Sequence, residues 1–312
     1  MSYLYPLKLS YIDKTALWGG DTLKREYNKT SRHEKLSETW ELSVRPDAVN
    51  EIANGTAAGK TLFEYFAAHP DTLGVFAGKP FPLLIKFIDA NDCLSVQVHP
   101  DDAYAAKRGD QGKTEMWYIV KAEPNAELIY GLAEGKTAAD LGDAIAKGTV
   151  EDVVQKIPVT AGDCFFIPSG MLHAIGRGIV IAEIQQNSDL TYRVYDYDRR
   201  GADGKLRPLH IDDAVAVTRP FTKEQIDAIR YERGRDAAAL ADCRYFRVEQ
   251  KEIDGDGVIA VPADRFLSVL CLDGEGTLGG EPTSRGDSYL LPCGLREVTV
   301  SGRLSLILSM AN

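Results

Sequence analysis

The chain has 312 residues, enough for one large domain or two ordinary domains with a substantial buried core. Its 46 acidic and 36 basic residues give a formal charge of −10, which argues against a nucleic-acid binder held mainly by phosphate contacts. No apolar run reaches membrane-spanning length and MSYLYPLKLSYIDK lacks a signal-peptide pattern, so we expect a cytoplasmic protein with no membrane partner. Five scattered cysteines without CxxC spacing predict neither a disulfide framework nor a cysteine zinc site.

Short strand-like runs dominate the chain. They are rich in β-branched and aromatic residues and are separated by Gly, Pro and Asp, which predicts barrels or sandwiches and not alternating β and α units. In chain order, the predicted strands are LLIKFID (83–89), LSVQVH (94–99), MWYIV (116–120), AELIYGL (126–132), DCFFIP (163–168), GIVIAEIQ (178–185), YRVYDY (192–197), FRVEQ (246–250), FLSVLCL (266–272), SYLLP (288–292) and LSLIL (304–308).

A few short helices interrupt these strands. Four of them begin with a Thr that is followed three residues later by an acid or a Gln, as in a capping box. The pairs are Thr61 with Glu64, Thr137 with Asp140, Thr149 with Asp152, and Thr222 with Gln225. The last pair lies in a stretch from about 208 to 243 that we expect to form a helical bridge between two β regions.

A nine-residue segment occurs twice. GDCFFIPSG at 162–170 and GDSYLLPCG at 286–294 share four identities, and each is typical of a turn, a buried strand and a tight turn. The third residue after the first copy is His173, whereas the matching residue after the second copy is Glu297. The repeat favours two β domains, which we place at 1–235 and 236–312.

The segment LSVQVHPDD (94–102) alternates apolar and polar residues, so Ser95, Gln97 and His99 share one face of a strand. Pro100 pushes the preceding residue out of the helical region and ends the strand. Alone, this alternation equally fits an edge strand with a solvated face.

A second motif favours a metal-binding strand over a solvated edge strand. GDCFFIPSGMLHAI has the form G-D-x4-P-x-G-x2-H of the second cupin motif, which delivers its histidine to the mouth of a small barrel. GKTEMWYI places Lys113, Glu115 and Trp117 on one face of the next strand. Two imidazoles, a carboxylate and an amide oxygen could then converge on one divalent ion, for which zinc, iron and manganese are all suitable. Either histidine taken alone is better explained as a surface or hydrogen-bonded residue, but the shared context with Gln97 and Glu115 favours a metal ligand.

In this order, SVQVHPDD, KTEMW, IPSGMLHAIG and EIQQNSDLTYR resemble type I mannose-6-phosphate isomerases, most closely the short bacterial form. The resemblance covers about Trp18 to Arg199. It implies a mainly β fold, a double-stranded β-helix of the cupin or jelly-roll type with a second, smaller β domain and a few short helices. It also implies one Zn²⁺ per chain, held by Gln97, His99, Glu115 and His173.

Further positions match residues that line the family's substrate pocket. Lys113 and Glu183 are the implied candidates for the base, Arg193 for stabilising the enediolate or holding phosphate, and Asp189 for ring opening. The implied phosphate and substrate contacts are Ser95, Lys86 and Arg199. Arg199 departs from the Lys of many members, which preserves the charge but changes the contact geometry. A structural ion-pair network is the alternative explanation for these charges.

The resemblance implies interconversion of mannose 6-phosphate and fructose 6-phosphate through an enediolate. We expect a monomer or homodimer that binds a small phosphosugar as its substrate. Two alternatives stay open: an isomerase of unphosphorylated sugars, and a noncatalytic cupin that binds sugars or regulates. Lys113, Glu183 and Arg193 argue against the noncatalytic alternative.

Overall fold

The computed structural model describes residues 3–201, 203–231 and 239–312. It divides into two compact units. Unit 1 comprises Met1–Lys14, Thr22–Phe87 and Asp236–Asn312, and unit 2 comprises Thr15–Asp21 and Ile88–Arg235. The boundary predicted between residues 235 and 236 lies outside the described residues, so the predicted domain division stays a prediction.

Strands outnumber helices in the described part of the chain, which confirms the mainly β prediction. The strands are β1 (Leu7–Lys8), β2 (Ile12–Lys14), β3 (Glu38–Leu42), β4 (Val44–Arg45), β5 (Ala48–Val49), β6 (Leu83–Ala90), β7 (Val96–Val98), β8 (Glu115–Ala122), β9 (Glu127–Leu132), β10 (Val154–Pro158), β11 (Cys164–Ile167), β12 (His173–Ile175), β13 (Ile179–Gln186), β14 (Tyr192–Tyr195), β15 (Arg230–Tyr231), β16 (Ala241–Asp242), β17 (Phe246–Ala260), β18 (Leu267–Leu278), β19 (Glu281–Ser284), β20 (Ser288–Leu291) and β21 (Glu297–Ala311). The α-helices are α1 (Thr22–Glu26), α2 (Leu62–Ala68), α3 (Asp102–Ala105), α4 (Ala138–Lys147), α5 (Ile211–Val217) and α6 (Lys223–Ile229). Single 3-10 turns occur at Gly55–Ala57, Pro70–Leu73, Ala106–Arg108 and Val150–Val153. No helix in the described ranges is both long enough and apolar enough to cross a membrane.

Unit 2 contains two sheets that face each other. One has the order β10-β9-β12-β7-β14, and in the other β11, β8 and β13 are neighbours. Apolar side chains of both sheets form one core cluster, which includes Trp117, Leu128 and Ile181. Across it, the rings of Tyr130 and Phe165 meet edge to face with centroids 5.3 Å apart. This two-sheet packing is typical of a jelly roll.

The outer face of the five-stranded sheet packs against helices. Val96 and Val98 of β7 join a second core cluster with Leu141 of α4 and Ala214 of α5. β7 itself lies between β12 and β14, so the edge-strand interpretation is wrong. The apolar side of this strand is therefore covered by helices, and its polar side faces the space between the two sheets.

Three of the four predicted helix starts are confirmed. Thr61 and Thr137 each form a complete capping box, and Thr222 exchanges hydrogen bonds with Gln225 at the start of α6. The prediction for Thr149 is wrong, because only a 3-10 turn follows it and its side chain forms no cap hydrogen bond. An N-cap residue needs an extended backbone, and Thr149 has ψ 34° where Thr137 has ψ 172°.

Unit 1 contains a sheet of order β1-β20-β18-β21-β17-β16, with β19 added beside β18. β17 and β21 are each 15 residues long and stay in register from Phe246 opposite Ala311 to Ala260 opposite Glu297. These strands extend well beyond the predicted FRVEQ and LSLIL. The run Asp-Gly-Asp-Gly at 254–257 has the composition of a turn, but the ladder continues through it.

The repeated segments have the same local structure. Gly162 and Gly286 begin them with φ of 96° and 92°, and Gly170 and Gly294 end them with φ of 86° and 91°. In both copies the Asp carboxylate accepts a hydrogen bond from the backbone N–H three residues earlier, at 2.9 Å in the first and 2.8 Å in the second. The repeat is therefore a structural repeat of turn, strand and turn, as predicted.

Candidate metal centre and anion-binding cluster

Three buried side chains of unit 2 form a group that could hold a metal ion. His99, Glu115 and His173 each offer one donor atom, and these atoms lie within 4.8 Å of one another. The two Nε2 atoms are 3.1 Å apart, and Glu115 carboxylate oxygens lie 3.6 Å from His99 Nε2 and 3.4 Å from His173 Nε2. The three residues come from the segment after β7, from β8 and from β12, so the facing sheets bring them together.

The chemistry of this donor set fits a cation. The Nδ1 atoms of His99 and His173 lie 2.8 Å from the carbonyl oxygens of Leu190 and Met171. A carbonyl only accepts, so each Nδ1 carries the hydrogen and each Nε2 presents a lone pair. Two lone pairs at 3.1 Å cannot hydrogen-bond to each other, whereas a metal ion satisfies both.

Burial keeps the ligand-forming imidazole neutral. The pKa of His173 is lowered to about 4, mainly by burial and in part by the charge of Lys113, while the hydrogen bond to the Met171 carbonyl and the charge of Glu183 oppose this. A neutral imidazole is the form that binds metal, so the site needs no proton loss from His173 near neutral pH.

A row of side chains crosses three neighbouring strands beside this group. His173 lies opposite Gln97 across β12 and β7, and Gln97 lies opposite Arg193 across β7 and β14. Directly opposed residues point to the same face, so the amide of Gln97 lies between the imidazole and the guanidinium. Arg193 Nε also donates to Ser95 Oγ at 3.2 Å. The predicted shared face of Ser95, Gln97 and His99 agrees with these contacts, and ligation by Gln97 stays a prediction.

Lys113 lies among the donors. Its Nζ is 3.1 Å from His99 Nε2 and 2.9 Å from Glu115 Oε2, and the residue is 4% exposed. The ammonium places positive charge against two of the atoms that would bind a cation. Glu183, the other candidate base, lies in β13 and accepts a 2.9 Å hydrogen bond from Trp117 Nε1.

A second polar cluster surrounds Asp196 at the end of β14. Arg199 donates to Asp196 Oδ1 at 2.5 Å, and Arg207 donates to both carboxylate oxygens, to Oδ2 at 2.6 Å. Burial raises the pKa of Asp196, but the hydrogen bonds from the two arginines outweigh it and the pKa is lowered. Sequence reasoning missed Arg207, because LRPLH contains no motif or periodicity that distinguishes it from a surface arginine.

The turn that presents Arg199 is strained. Tyr197 and Asp198 have φ of 56° and 51°, and Arg199 N–H donates to the Asp196 carbonyl at 3.1 Å. Positive φ at both central residues defines a type I′ turn, which ordinarily favours Asn and Gly. The turn ends the predicted strand 192–197 at Tyr195.

Asp189 and Lys86 are also predicted to line the pocket, and these roles stay predictions. Asp189 is exposed in the loop between β13 and β14. Lys86 belongs to unit 1, where it is buried, with its Nζ 3.7 Å from Glu38 Oε2 and 5.1 Å from the centroid of the Trp40 ring.

Two family models match the sequence. The model for the catalytic domain of type I phosphomannose isomerase matches residues 5–140, and the model for the cupin domain of mannose-6-phosphate isomerase matches residues 237–311. The chain is 40% identical to a mannose-6-phosphate isomerase of Streptococcus mutans over 98% of both proteins.

Solved structures of mannose 6-phosphate isomerases match the fold of this chain. The mannose 6-phosphate isomerase of Bacillus subtilis matches with a TM-score of 0.85 and 34% identity, over 98% of this chain and 99% of that one. The apo form of the Salmonella typhimurium mannose 6-phosphate isomerase shares the fold, with a TM-score of 0.78 at 15% identity over 98% and 99% of the two chains. These matches confirm the predicted family resemblance and the cupin fold class.

Proposed function

Because the chain belongs to the family of type I mannose-6-phosphate isomerases, we propose that it interconverts mannose 6-phosphate and fructose 6-phosphate through an enediolate. The observation that carries this proposal is the meeting of His99, Glu115 and His173 beside a row of polar side chains that ends at Arg193. An aldose-ketose isomerase needs such a site to move a proton between adjacent carbons while charge develops on oxygen.

The proposed metal ion is one Zn²⁺ per chain. His99, Glu115 and His173 would hold it, with Gln97 as the fourth protein ligand. Bound there, zinc would supply Lewis-acid stabilisation of the oxygen that gains negative charge.

The chain's own residues handle the proton and the charge. Lys113 and Glu183 are both candidates for the base that takes the proton from the carbon beside the carbonyl. Arg193 lies next to Gln97 across the strand pair, so its guanidinium can donate to an enediolate oxygen. Asp189, at the exposed loop before β14, is the candidate for assisting ring opening.

The arginines favour a phosphorylated substrate. Burial and the charges of Arg207 and Arg199 lower the pKa of Arg193, and the carboxylate of Asp196 opposes this. Arg199 also lies 3.7 Å from Asp92 Oδ2, so the three arginines face two carboxylates. One unbalanced positive charge remains to attract a phosphate group, and guanidinium groups bind phosphate oxygens in pairs. Ser95 and Lys86 are proposed as further substrate contacts.

The test is a coupled isomerisation assay on mannose 6-phosphate, with chelator-treated and zinc-restored protein, beside the same assay on free mannose. We expect fructose 6-phosphate formation that chelation abolishes and zinc restores, with free mannose a far poorer substrate. Equal turnover of the two sugars would identify an isomerase of unphosphorylated sugars. No product from zinc-loaded protein would instead favour a noncatalytic sugar-binding cupin.

A further inference from the structure

Trp117 lies at the centre of the inner face of unit 2. In β8 it is opposite Glu183 of β13 on one side and opposite Phe165 of β11 on the other. It points to the same face as Glu115, two residues earlier, and its side chain is fully buried. A core tryptophan could be there for packing alone, but two of its contacts are with groups of the proposed active site.

The first contact is polar. Trp117 Nε1 donates a 2.9 Å hydrogen bond to Glu183 Oε2. An indole N–H is a donor only, so it can hold a carboxylate but cannot exchange roles with it. A buried hydrogen bond to an ionised acceptor is shorter and stronger than a neutral one, which makes it suited to fixing the direction of the carboxylate.

The second contact is aromatic. The Trp117 ring meets the His173 imidazole edge to face, with centroids 5.3 Å apart and an interplanar angle of 78°. His173 belongs to β12 of the facing sheet, so one rigid side chain touches a candidate base and a proposed metal ligand on opposite sheets. The indole is therefore in contact with both groups.

We propose that Trp117 is a positioning residue that orients the Glu183 carboxylate for proton transfer, and that it acts through its Nε1 hydrogen bond and not through packing alone. The proposal rests on the isomerase function proposed above and gives Glu183 a direct part in it. Trp117 itself donates to neither substrate nor metal in this account.

The first variant is Trp117→Phe, which keeps an aromatic ring near His173 and removes the N–H donor. A misdirected carboxylate transfers the proton less efficiently, so we expect kcat on mannose 6-phosphate to fall about 10- to 100-fold, which is about 1.4 to 2.7 kcal/mol at 1.36 kcal/mol per tenfold. KM should stay within about twofold and zinc content should stay at one per chain, because substrate and metal contacts are kept.

The matched control is Phe165→Leu. Phe165 is the other neighbour of Trp117 in the same row, is fully buried and carries no polar side-chain atom. Like Trp117→Phe, the Phe165→Leu variant should create a cavity and lower the melting temperature. Its kcat per zinc-loaded chain should stay unchanged. The comparison separates lost packing from a lost hydrogen bond.

A second variant keeps the test independent of folding. Site-specific β-(3-benzothienyl)alanine at position 117 retains the two-ring shape and replaces the N–H with sulfur, so it leaves no cavity. It should reproduce the kcat loss of Trp117→Phe. In a Glu183→Gln background the loss of the N–H should have little further effect on residual kcat, because both changes remove the same interaction.

The wild-type arm is measured first. If zinc-loaded wild-type protein does not isomerise mannose 6-phosphate, the proposed function itself fails. If it does, but the benzothienyl variant keeps kcat within about twofold of wild type with full zinc, the positioning role is overturned. Additive losses in the Glu183→Gln background would overturn it as well, since Trp117 would then act elsewhere.

Discussion

The Nδ1 hydrogen bonds of His99 and His173 decide what these residues can do. A backbone carbonyl that accepts from Nδ1 fixes both the tautomer and the ring orientation, and directs the Nε2 lone pair into the space between the sheets. Carbonyls do not titrate, so this orientation does not depend on the charge of a neighbouring side chain.

His173→Ala should therefore remove the metal without unfolding the protein. We expect zinc below one-tenth of stoichiometric and isomerase activity reduced at least about 100-fold, since one of two imidazole ligands is lost. Elemental analysis, circular dichroism and the coupled assay check this. His33→Ala in unit 1 is the control and should keep metal and activity. Full zinc and full turnover in His173→Ala would contradict the assigned ligand.

Arg207→Ala tests the residue that the sequence did not reveal. Losing one charge-assisted contact should raise KM for mannose 6-phosphate about 10-fold and leave zinc content unchanged. Arg200→Ala is the matched control, because Arg200 lies in the same loop but donates to the Gly204 carbonyl at 2.8 Å and not to Asp196. An unchanged KM in Arg207→Ala would assign that guanidinium to the structural pairing of Asp196.

Among the secondary-structure elements, helix α4 supports the strand that carries Gln97. With α5 it covers the apolar face of the strand whose other face carries Gln97. Helices of this length are marginal in isolation, so their ends matter. The support of the site thus begins at a helix cap outside it.

Thr137→Ala should lower the free energy of unfolding by about 1 kcal/mol, because it deletes the hydroxyl oxygen that accepts the capping hydrogen bond from Asp140 N–H. Thr149→Ala provides the contrast, since Thr149 precedes a 3-10 turn without a side-chain cap. The free energy of unfolding of Thr149→Ala should stay within about 0.5 kcal/mol of the wild-type value. Urea denaturation measures both, and equal losses would mean that the two threonines act through something other than capping.

The type I′ turn after β14 should respond to glycine in the opposite way from ordinary loops. At Asp198, with φ of 51°, Gly should be more stable than Ala by about 1 kcal/mol, because only Gly adopts this region freely. At neighbouring Arg200, where φ is negative, Ala should be the more stable of the two. Urea denaturation of the four variants checks the reversal. If the Ala variant is more stable than the Gly variant at both positions, the turn is not strained.

For the molecule as a whole, bound metal should be a source of stability. A ligand that binds only the folded state stabilises it by about 4 kcal/mol at 1,000 times its Kd. We expect chelation to lower the melting temperature by several degrees and zinc to restore it. The His173→Ala variant should show no such difference. A wild-type melting temperature indifferent to chelation would argue against a zinc site in the fold.

Sequence reasoning found the features that local chemistry determines. Alternation along a strand identified the polar face of Gln97 and His99, and motif resemblance supplied Glu115 and His173. Arg207 was not predicted, because its partner Asp196 lies eleven residues earlier, on the other side of a turn. A contact of this kind leaves no periodic pattern in the sequence. The full length of β17 was not predicted, because its glycine-containing second half is stabilised by pairing with a distant strand, as in Gly255 opposite Gly302.

The matched turns of the repeated segments have a consequence for how each copy tolerates change. In the first copy, the left-handed glycines are followed by His173, a candidate metal ligand, so we expect both the backbone and the imidazole to restrict replacement. In the second copy, Glu297 lies exposed on β21, so the backbone is the constraint that both copies share. A saturation library should accordingly accept many residues at 297 and few at 173, while rejecting replacements of the glycines at 170 and 294 alike.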